Sequence, residues 1–528
     1  MREKVMQHKL IFTTILIIFH SLLFISNSQA QWSTTPDTAI YLGQGEPVGL
    51  IKDEKGGAYL GYYSGDLVVN RVDKFGYLQW NPPISAVKQS VPPYWQYEGS
   101  IASGDDGSIF AATTEVLPVT QFDWEERVWV NKLDSTGTKL WGNNGVRVSL
   151  DNLDNRIPRI ISDQNGGCYV TYKQGTSIYI QHFDSLGTRL FGNSSLQLNT
   201  IPSNTSTDLD LIKTSDGCIV LTGLGYSRID SSGLVWFTNV PSGSQFGLGV
   251  VGATGDGSDG VVCLGQYGNN QTQTIDAISI RVDSSGSFVW NNFTNLGGIP
   301  WGGVEIYEER FIQRNFNNSF SNFWSFKFPD SSTGSNTYNL NVQANSLDGN
   351  LLNSFYSPIL NSTGRIVQGL IKSNNLNNLF FWTDDTTPNR IGFVQMMDLN
   401  GNKLWGNNGQ LFTNKTFSLV KSLSDTRGGA ILLWSGINGM LWLQQISRHG
   451  NLGEILNDYG DLNEDGVIDT LDSQIVLNSV VGTDTLTQNQ FEVGDVDGDG
   501  KVKVNDASLI LQKAKGLIKE FPIHELEE

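Results

Sequence analysis

The chain has 528 residues, a formal net charge of −18 and only three cysteines. This length is too great for one small domain and allows a large domain followed by a smaller module. The acidic balance disfavours nucleic acid and anionic lipid as partners. Cys168, Cys218 and Cys263 cannot all pair, so we expect buried free thiols rather than a disulfide framework.

Residues 1–30 have the pattern of a cleaved secretion signal. Three basic residues come first, a largely apolar run extends from Leu10 to Ile25, and the small-residue sequence Ser28-Gln29-Ala30 closes the segment. The apolar run is short for a membrane span, although an uncleaved anchor stays open as the alternative. No later segment is apolar enough to cross a bilayer. The sequence therefore predicts a secreted protein, extracellular or cell-surface associated, with no membrane span after signal cleavage.

Residues 31–456 are predicted to form a mainly β repeat domain. A turn of the form Asp-x-x-Gly, usually followed by an aromatic residue, recurs every 46 to 65 residues. The clear copies begin at Asp73, Asp134, Asp184, Asp230, Asp283 and Asp398, and weaker ones lie at Asp348-Gly349 and Ser447. An earlier glycine turn precedes most copies, and both turn types are hairpin signals. Four short strands every fifty or so residues are typical of a propeller blade, so we expect seven or eight blades, with eight preferred. A β-solenoid or tandem sandwiches are the alternatives.

The short hairpin turns and the longer, variable loops are expected on opposite faces of the propeller. The short turns share one face, whereas the variable loops and the blade-to-blade connections share the other and contain aromatic insertions. Aromatic rings can stack on sugar rings, and acids can accept hydrogen bonds, so this second face is the predicted ligand surface. Its candidate residues are Trp95, Trp124, Glu125 and Trp301. Ordinary packing between blades is the alternative interpretation.

Catalysis by the propeller has little specific support. The mature chain has only three histidines, far apart in sequence, which disfavours a histidine metal site or a Ser-His-Asp triad. A pair of carboxylates would suffice for glycoside hydrolysis, but carboxylates are common on an acidic surface. No catalytic residue is assigned.

The C-terminal segment, residues 457–528, contains two acidic loops with the spacing of calcium ligands. Residues 458–528 hold 16 acidic and 5 basic side chains. The predicted ligands of the first loop are Asp461, Asn463, Asp465, the carbonyl of Val467, Asp469 and Asp472. The second loop starts 34 residues later with Asp495, Asp497, Asp499, the carbonyl of Lys501 and Asp506. Calcium takes about six to eight oxygen donors, so two loops in register predict two Ca²⁺ ions.

Residues 459–523 resemble a type I dockerin domain. Position 12 of both loops is Asp, each loop is followed by a helical apolar pattern, no helix precedes the first loop, and Phe521-Pro522 closes the segment. The resemblance implies a cohesin-like protein partner in an assembly that degrades polysaccharides. It also implies that loop positions 10 and 11 help to choose that partner: Thr470, Leu471, Val504 and Asn505.

Two departures from the dockerin pattern affect these expectations. Lys503 stands at position 9 of the second loop, where an oxygen donor is usual, so the second site is expected to be weaker. No Pro/Thr-rich linker precedes Asn457, so we expect the module to pack against the propeller.

Three function hypotheses follow from the sequence. The first is a non-catalytic calcium-dependent docking protein whose propeller binds glycan or protein. The second is a dockerin-bearing glycoside hydrolase or polysaccharide lyase with its active site in the propeller. The third is a structural surface protein in which the calcium loops act as a stabilising clip.

Overall fold

A computed structural model describes residues 32–53, 55–87, 95–119, 124–151, 153–200, 209–222, 225–239, 249–269, 273–290, 294–300, 305–314, 319–329, 336–352, 360–363, 365–372, 377–384, 391–398, 402–415, 417–436 and 438–524. The predicted secretion signal and Trp301 lie outside these residues. Within them, no helix combines the length and the apolar character needed to cross a membrane.

The first four blades lie between residues 46 and 239. Blade 1 consists of β2 (Glu46–Lys52), β3 (Ala58–Ser64), β4 (Asp66–Val72) and β5 (Ile84–Ser85). Blade 2 consists of β6 (Trp95–Ser103), β7 (Ile109–Pro118), β8 (Trp124–Leu133) and β9 (Val146–Arg147). Blade 3 consists of β10 (Arg156–Ser162), β11 (Cys168–Gln174), β12 (Ser177–Phe183) and β13 (Leu196–Thr200). Blade 4 consists of β14 (Asp210–Lys213), β15 (Gly217–Thr222), β16 (Gly225–Asp230) and β17 (Gly233–Asn239).

The last four blades continue to residue 446. Blade 5 consists of β18 (Gly249–Gly255), β19 (Val261–Asn269), β20 (Thr274–Val282) and β21 (Thr294–Pro300). Blade 6 consists of β22 (Glu305–Arg314), β23 (Ser319–Pro329), β24 (Asn336–Ser346) and β25 (Leu360–Thr363). Blade 7 consists of β26 (Arg365–Lys372), β27 (Asn377–Asp384), β28 (Ile391–Asp398) and β29 (Gln410–Thr413). Blade 8 consists of β30 (Phe417–Ser424), β31 (Ala430–Gly436), β32 (Met440–Ile446) and, from the N-terminus, β1 (Ile40–Gln44).

The described residues thus form eight four-stranded antiparallel sheets. The first strand of each blade contacts the first strands of both neighbouring blades, and the ring closes where β30 contacts β2. The mainly β propeller that the repeat predicts is confirmed. Pairing of β1 with β32 completes blade 8, so the two ends of the repeat domain share one sheet.

Each Asp-x-x-Gly turn is stabilised by its own aspartate. In blade 2, the carboxylate of Asp134 accepts hydrogen bonds from the backbone N–H groups of Thr136 and Thr138, both at 2.9 Å. Gly137 then adopts a φ of 88°, which glycine tolerates without steric cost. In the weaker copies a serine takes the place of the aspartate, and Gly349 and Gly450 keep the same turn by donating to the carbonyls of Ser346 and Ser447.

The aromatic residue after the turn joins one blade to the next. Its indole N–H donates to a backbone carbonyl in the turn of the following blade, at 2.9 to 3.1 Å, in the pairs Trp141–Ser185, Trp236–Ser284, Trp290–Leu347 and Trp405–Arg448. These tryptophans therefore serve packing between blades. The three cysteines are buried and free, as the sequence predicts.

The C-terminal module contains α1 (Thr470–Val480), α2 (Gln488–Gly494) and α3 (Val504–Ala514). Helices α1 and α3 correspond to the two predicted apolar runs. The core of the module consists of Tyr459, Leu462, Val476, Val493, Val496, Ala507, Ile510, Phe521 and Ile523. Helix α2 follows no such run, although Thr487 and Gln490 form a reciprocal capping box at its start.

The module packs against the short-turn face of blades 1 and 8. Asp458 accepts hydrogen bonds from Lys74 and Thr426, both at 3.3 Å. Arg448 lies over the ring of Tyr459 at 5.6 Å. Burial, and then the positive charge of Lys52, lower the pKa of His524 to about 4. The expectation of a packed module is therefore met.

Candidate calcium site and docking surface

The position-12 aspartate organises each acidic loop. In the first loop, Asp472 Oδ1 accepts from the backbone N–H groups of Leu462 and Asn463 at 2.8 and 3.0 Å, and Oδ2 accepts from that of Asp469 at 2.8 Å. One carboxylate thus connects the start of the loop to the start of α1. Because a glutamate side chain is longer by one methylene group, aspartate suits this compact arrangement.

The second loop repeats the arrangement. Asp506 Oδ1 accepts from Val496 N at 3.0 Å and from Asp497 N at 3.2 Å, and Oδ2 accepts from Lys503 N at 2.8 Å. Each of these bonds joins residues 34 positions after their counterparts in the first loop. The predicted internal duplication therefore extends to the backbone hydrogen bonds.

The first loop has in its interior a carboxylate oxygen that could bind a metal ion. Asp461 Oδ2 accepts from the backbone N–H of Gly466 at 3.0 Å, and Gly466 makes the sharp turn at a φ of 82°. Asp461 Oδ1 is buried and has no hydrogen-bond partner among the described residues. Burial, and then repulsion from Asp472 and Asp465, raise the pKa of Asp461. A bound cation would satisfy this oxygen and offset both effects.

Three carboxylates converge in the second loop. Asp495, Asp497 and Asp499 each offer an oxygen within 4.8 Å of the others. Burial, and then repulsion from Asp506, Asp497 and Asp499, raise the pKa of Asp495 to about 6. The donors are hard carboxylate oxygens without nitrogen or sulfur, which is the chemistry that suits Ca²⁺.

The two loops differ at position 9. Asp469 accepts from the backbone N–H of Leu471 at 2.7 Å and so caps α1. Lys503 instead forms an ion pair with Asp499, a predicted ligand, and lowers the pKa of that carboxyl group by hydrogen bonding. The second loop therefore has one oxygen donor fewer and a competing cation. Its lower calcium affinity stays a prediction.

The predicted partner-binding residues lie at the first turns of α1 and α3. Leu471 and Val504 are 59% and 57% exposed. Thr470 is also exposed, and Asn505 donates to Asp497 Oδ2 at 2.6 Å. Ser473 Oγ donates to the carbonyl of Ala507 at 2.8 Å, which brings the two helices together. The structure therefore presents one exposed apolar residue in the first turn of each helix, Leu471 at position 11 of the first repeat and Val504 at position 10 of the second.

The propeller residues proposed for ligand binding are partly brought together. The rings of Trp95 and Trp124 lie 5.0 Å apart at an interplanar angle of 70°. Glu125 accepts a hydrogen bond from Arg127 Nε at 2.9 Å. The expectation that Trp95 and Trp124 lie in loops is wrong, because each begins a strand: Trp95 pairs with Val116, and Trp124 pairs with Pro118.

Comparison with known proteins gives different results for the C-terminal module and for the propeller. Residues 459–513 match the family model described as the dockerin type I domain. The C-terminal module is a type I dockerin. It is similar to the structure of the third cohesin of ScaC in complex with the ScaB dockerin from Acetivibrio cellulolyticus, at 31% identity over 12% of this chain and 92% of that one, with a TM-score of 0.12. Type I dockerins bind calcium, which agrees with the oxygen donors above.

The propeller region is distantly similar in structure to several solved proteins. A protein of unknown function from Dyadobacter fermentans is 8% identical over 68% of this chain and 96% of its own length, with a TM-score of 0.35. Prolyl oligopeptidase B from Galerina marginata is 10% identical over 77% of this chain and 56% of its own, with a TM-score of 0.39. Among curated protein sequences, none matches this chain.

Proposed function

We propose that this protein is a secreted, calcium-dependent docking protein. Its dockerin binds a cohesin-like domain and thereby attaches the propeller to an extracellular assembly, either one that degrades polysaccharides or one on the cell surface. The observation that supports this most directly is the repeat of both calcium loops and both exposed helix starts at an interval of 34 residues. A merely structural clip would not need Leu471 and Val504 exposed.

Each ion has a defined task in this proposal. The first would be held by Asp461, Asn463, Asp465, the carbonyl of Val467, Asp469 and Asp472, and the second by Asp495, Asp497, Asp499, the carbonyl of Lys501 and Asp506. Positive charge at these positions neutralises carboxylates that otherwise repel one another. The loops then fix where α1 and α3 begin, and so fix the exposed positions that contact the partner.

The experiment is capture of the full chain by immobilised type I cohesins, including the ScaC cohesin from Acetivibrio cellulolyticus. We expect capture in calcium and its loss in EDTA. The double variant Asp461→Ala/Asp495→Ala should lose capture as well. Asp484→Ala is the matched control, since it removes an exposed acid of the same module outside both loops. Equal capture with and without EDTA, or no capture by any cohesin, would contradict the proposal.

A second assay separates docking from catalysis. If the propeller were a glycoside hydrolase or lyase, the purified chain would release reducing sugar or unsaturated products from polysaccharides. The described geometry gives such an activity no specific support, because Glu125 is held by Arg127 and the neighbouring Glu126 accepts a hydrogen bond from Tyr97. We expect binding without product release.

A further inference from the structure

The dockerin and the long-loop face of the propeller lie at opposite ends of the blades. Contacts to the dockerin come from Lys74 in the β4–β5 turn, from Thr426 in the β30–β31 turn, and from Arg448 after β32. Trp95 and Trp124 start strands β6 and β8, at the end where β7 leads into β8. A chain that is anchored through its dockerin therefore directs these two tryptophans away from the anchor.

The tryptophan pair is unusual in being open to solvent. Trp95 and Trp124 are 41% and 46% exposed, whereas Trp141 and Trp290, which join blades, are 7% and 6% exposed. Their mutual contact covers only part of each ring, so both leave apolar surface in water. Ordinary packing between blades therefore accounts for Trp141 and Trp290, but it does not account for Trp95 and Trp124.

The groups around the pair are held in place from two blades. Tyr97 donates to Glu126, and the backbone N–H of Glu126 donates to Asp154 Oδ1 at 3.0 Å, from the segment before blade 3. Glu98 Oε2 accepts from the backbone N–H of Ile157 at 3.1 Å. The polar groups beside the rings are therefore preorganised, which lowers the entropy cost of binding.

Charge around the rings is balanced within the site. Glu98 interacts electrostatically with Arg156 and Arg159, whereas the ion pair of Glu125 and Arg127 lies on the opposite face of β8. The carboxylates would repel a polyanion, and the guanidinium groups would repel a polycation. A polyhydroxylated neutral ligand can use both as hydrogen-bond partners while its C–H faces cover the indoles. Two rings are also too small a patch for a stable protein interface, which needs about 800 Å² on each partner.

From this arrangement we propose that Trp95 and Trp124 form a binding site for a neutral polysaccharide, with Glu126, which shares their face of the sheet, accepting hydrogen bonds from its hydroxyl groups. This site assigns a ligand to the propeller of the docking protein proposed above. It rests on that proposed function only for the assembly in which the protein would act. Stacking of a pyranose ring on an indole removes apolar area from water on both partners, and it requires no charge on the ligand.

The experiment is affinity electrophoresis of the full chain in calcium through gels that contain mixed-linkage β-glucan, xylan, galactomannan or amylose. Polygalacturonate provides the charged comparison. We expect retardation by at least one neutral polysaccharide. Trp95→Ala and Trp124→Ala should each raise the dissociation constant by about tenfold or more, consistent with loss of one stacked ring. Retention of binding in Trp124→Phe would confirm that an aromatic face is what the ligand needs.

The matched control is Tyr41→Ala. Tyr41 is 51% exposed and contacts Trp442 at 4.9 Å in blade 8, so this variant removes a comparable ring elsewhere and should bind like the wild type. Absence of retardation by every neutral polysaccharide would overturn the proposal, as would unchanged binding by the Trp95→Ala/Trp124→Ala double variant or retardation by polygalacturonate alone. Cohesin capture should be normal in all of these variants, so failure of this site can be told apart from failure of docking.

Discussion

The indole Nε1 of Trp32 donates a hydrogen bond to the carbonyl oxygen of Lys74, 3.1 Å away. Trp32 precedes β1 and so plays in blade 8 the part that Trp141 plays in blade 2. Gly76 in the receiving turn leaves room for this residue, because a Cβ atom there would lie 2.7 Å from the backbone nitrogen of Trp32 and 2.9 Å from its indole ring. The N-terminal segment therefore closes the ring of blades twice, through β1 and through Trp32.

We predict that Gly76→Ala destabilises the propeller through this contact. Gly65→Ala is the matched control, because Gly65 has a similar φ of 84° but a Cβ atom added there would have no atom within 4 Å. Both variants bear the cost of a left-handed alanine, about 1–2 kcal/mol. Overpacking against Trp32 should cost Gly76→Ala about 1–3 kcal/mol more in the free energy of unfolding. Denaturant titrations that give equal values for the two variants would refute the contact.

The interface between propeller and dockerin is predicted to depend on Arg448. Its guanidinium Nε lies 3.2 Å from Glu492 Oε2, and Nη2 lies 3.3 Å from Asn489 Oδ1. Arg448→Ala should weaken the interface by about 1.5–3 kcal/mol, the range for hydrogen bonds to charged groups. Small-angle scattering should then show a larger maximum dimension. Arg127→Ala, which breaks an ion pair inside blade 2, is the control and should leave the dimension unchanged.

Acid should open the same interface. Burial alone would raise the pKa of Glu492, but hydrogen bonds from His449 and Gln488 and the charge of Arg448 outweigh it, so the net pKa lies below the ordinary value. A lowered pKa in the packed state means that packing favours the ionised carboxylate. Its contribution is complete above the ordinary pKa, about 4.3, and is lost as the pH falls below it. Glu492→Gln should show a smaller acid dependence of the scattering dimension than the wild type, and an identical dependence would count against this role.

Lys503→Asp is predicted to strengthen the second calcium site. The substitution removes the ion pair with Asp499 and restores an oxygen donor at position 9, which should raise the affinity by about tenfold, since ligand charge and number set the dissociation constant. Lys501→Asp is the control because it makes the same charge change at position 7, where the ligand is a backbone carbonyl. Calorimetry should distinguish them. An equal gain in both variants would show that general charge, not coordination, is responsible.

Features that arise from short-range rules could be predicted from the sequence. The Asp-x-x-Gly turns follow from hydrogen bonds between residues two and four positions apart, as at Asp134. Six of these turns and two weaker copies, recurring along the repeat domain, indicate eight blades. The calcium loops follow from alternation of oxygen donors over twelve residues. In both cases the deciding contacts lie within one short segment.

Features that depend on distant residues could not be predicted in this way. Lys74 and Asp458 meet across 384 positions, and no local pattern in either segment indicates the other. In the sequence, Trp32 stands before the first repeat, and nothing near it indicates its hydrogen bond to Lys74 in blade 1. The polar and aromatic segments around Trp95 and Trp124 indicate loops, whereas pairing with β7 makes both tryptophans strand residues. Helix α2 is different, since the capping box of Thr487 and Gln490 is a local signal that could have indicated it.

Calcium titration calorimetry on the full chain tests the central claim most directly. If the two acidic loops enclose ions and so shape the docking surface, the chain should take up two equivalents of Ca²⁺, and Asp461→Ala/Asp495→Ala should take up none at the same concentrations. Uptake of no calcium by the wild-type chain would contradict the docking function.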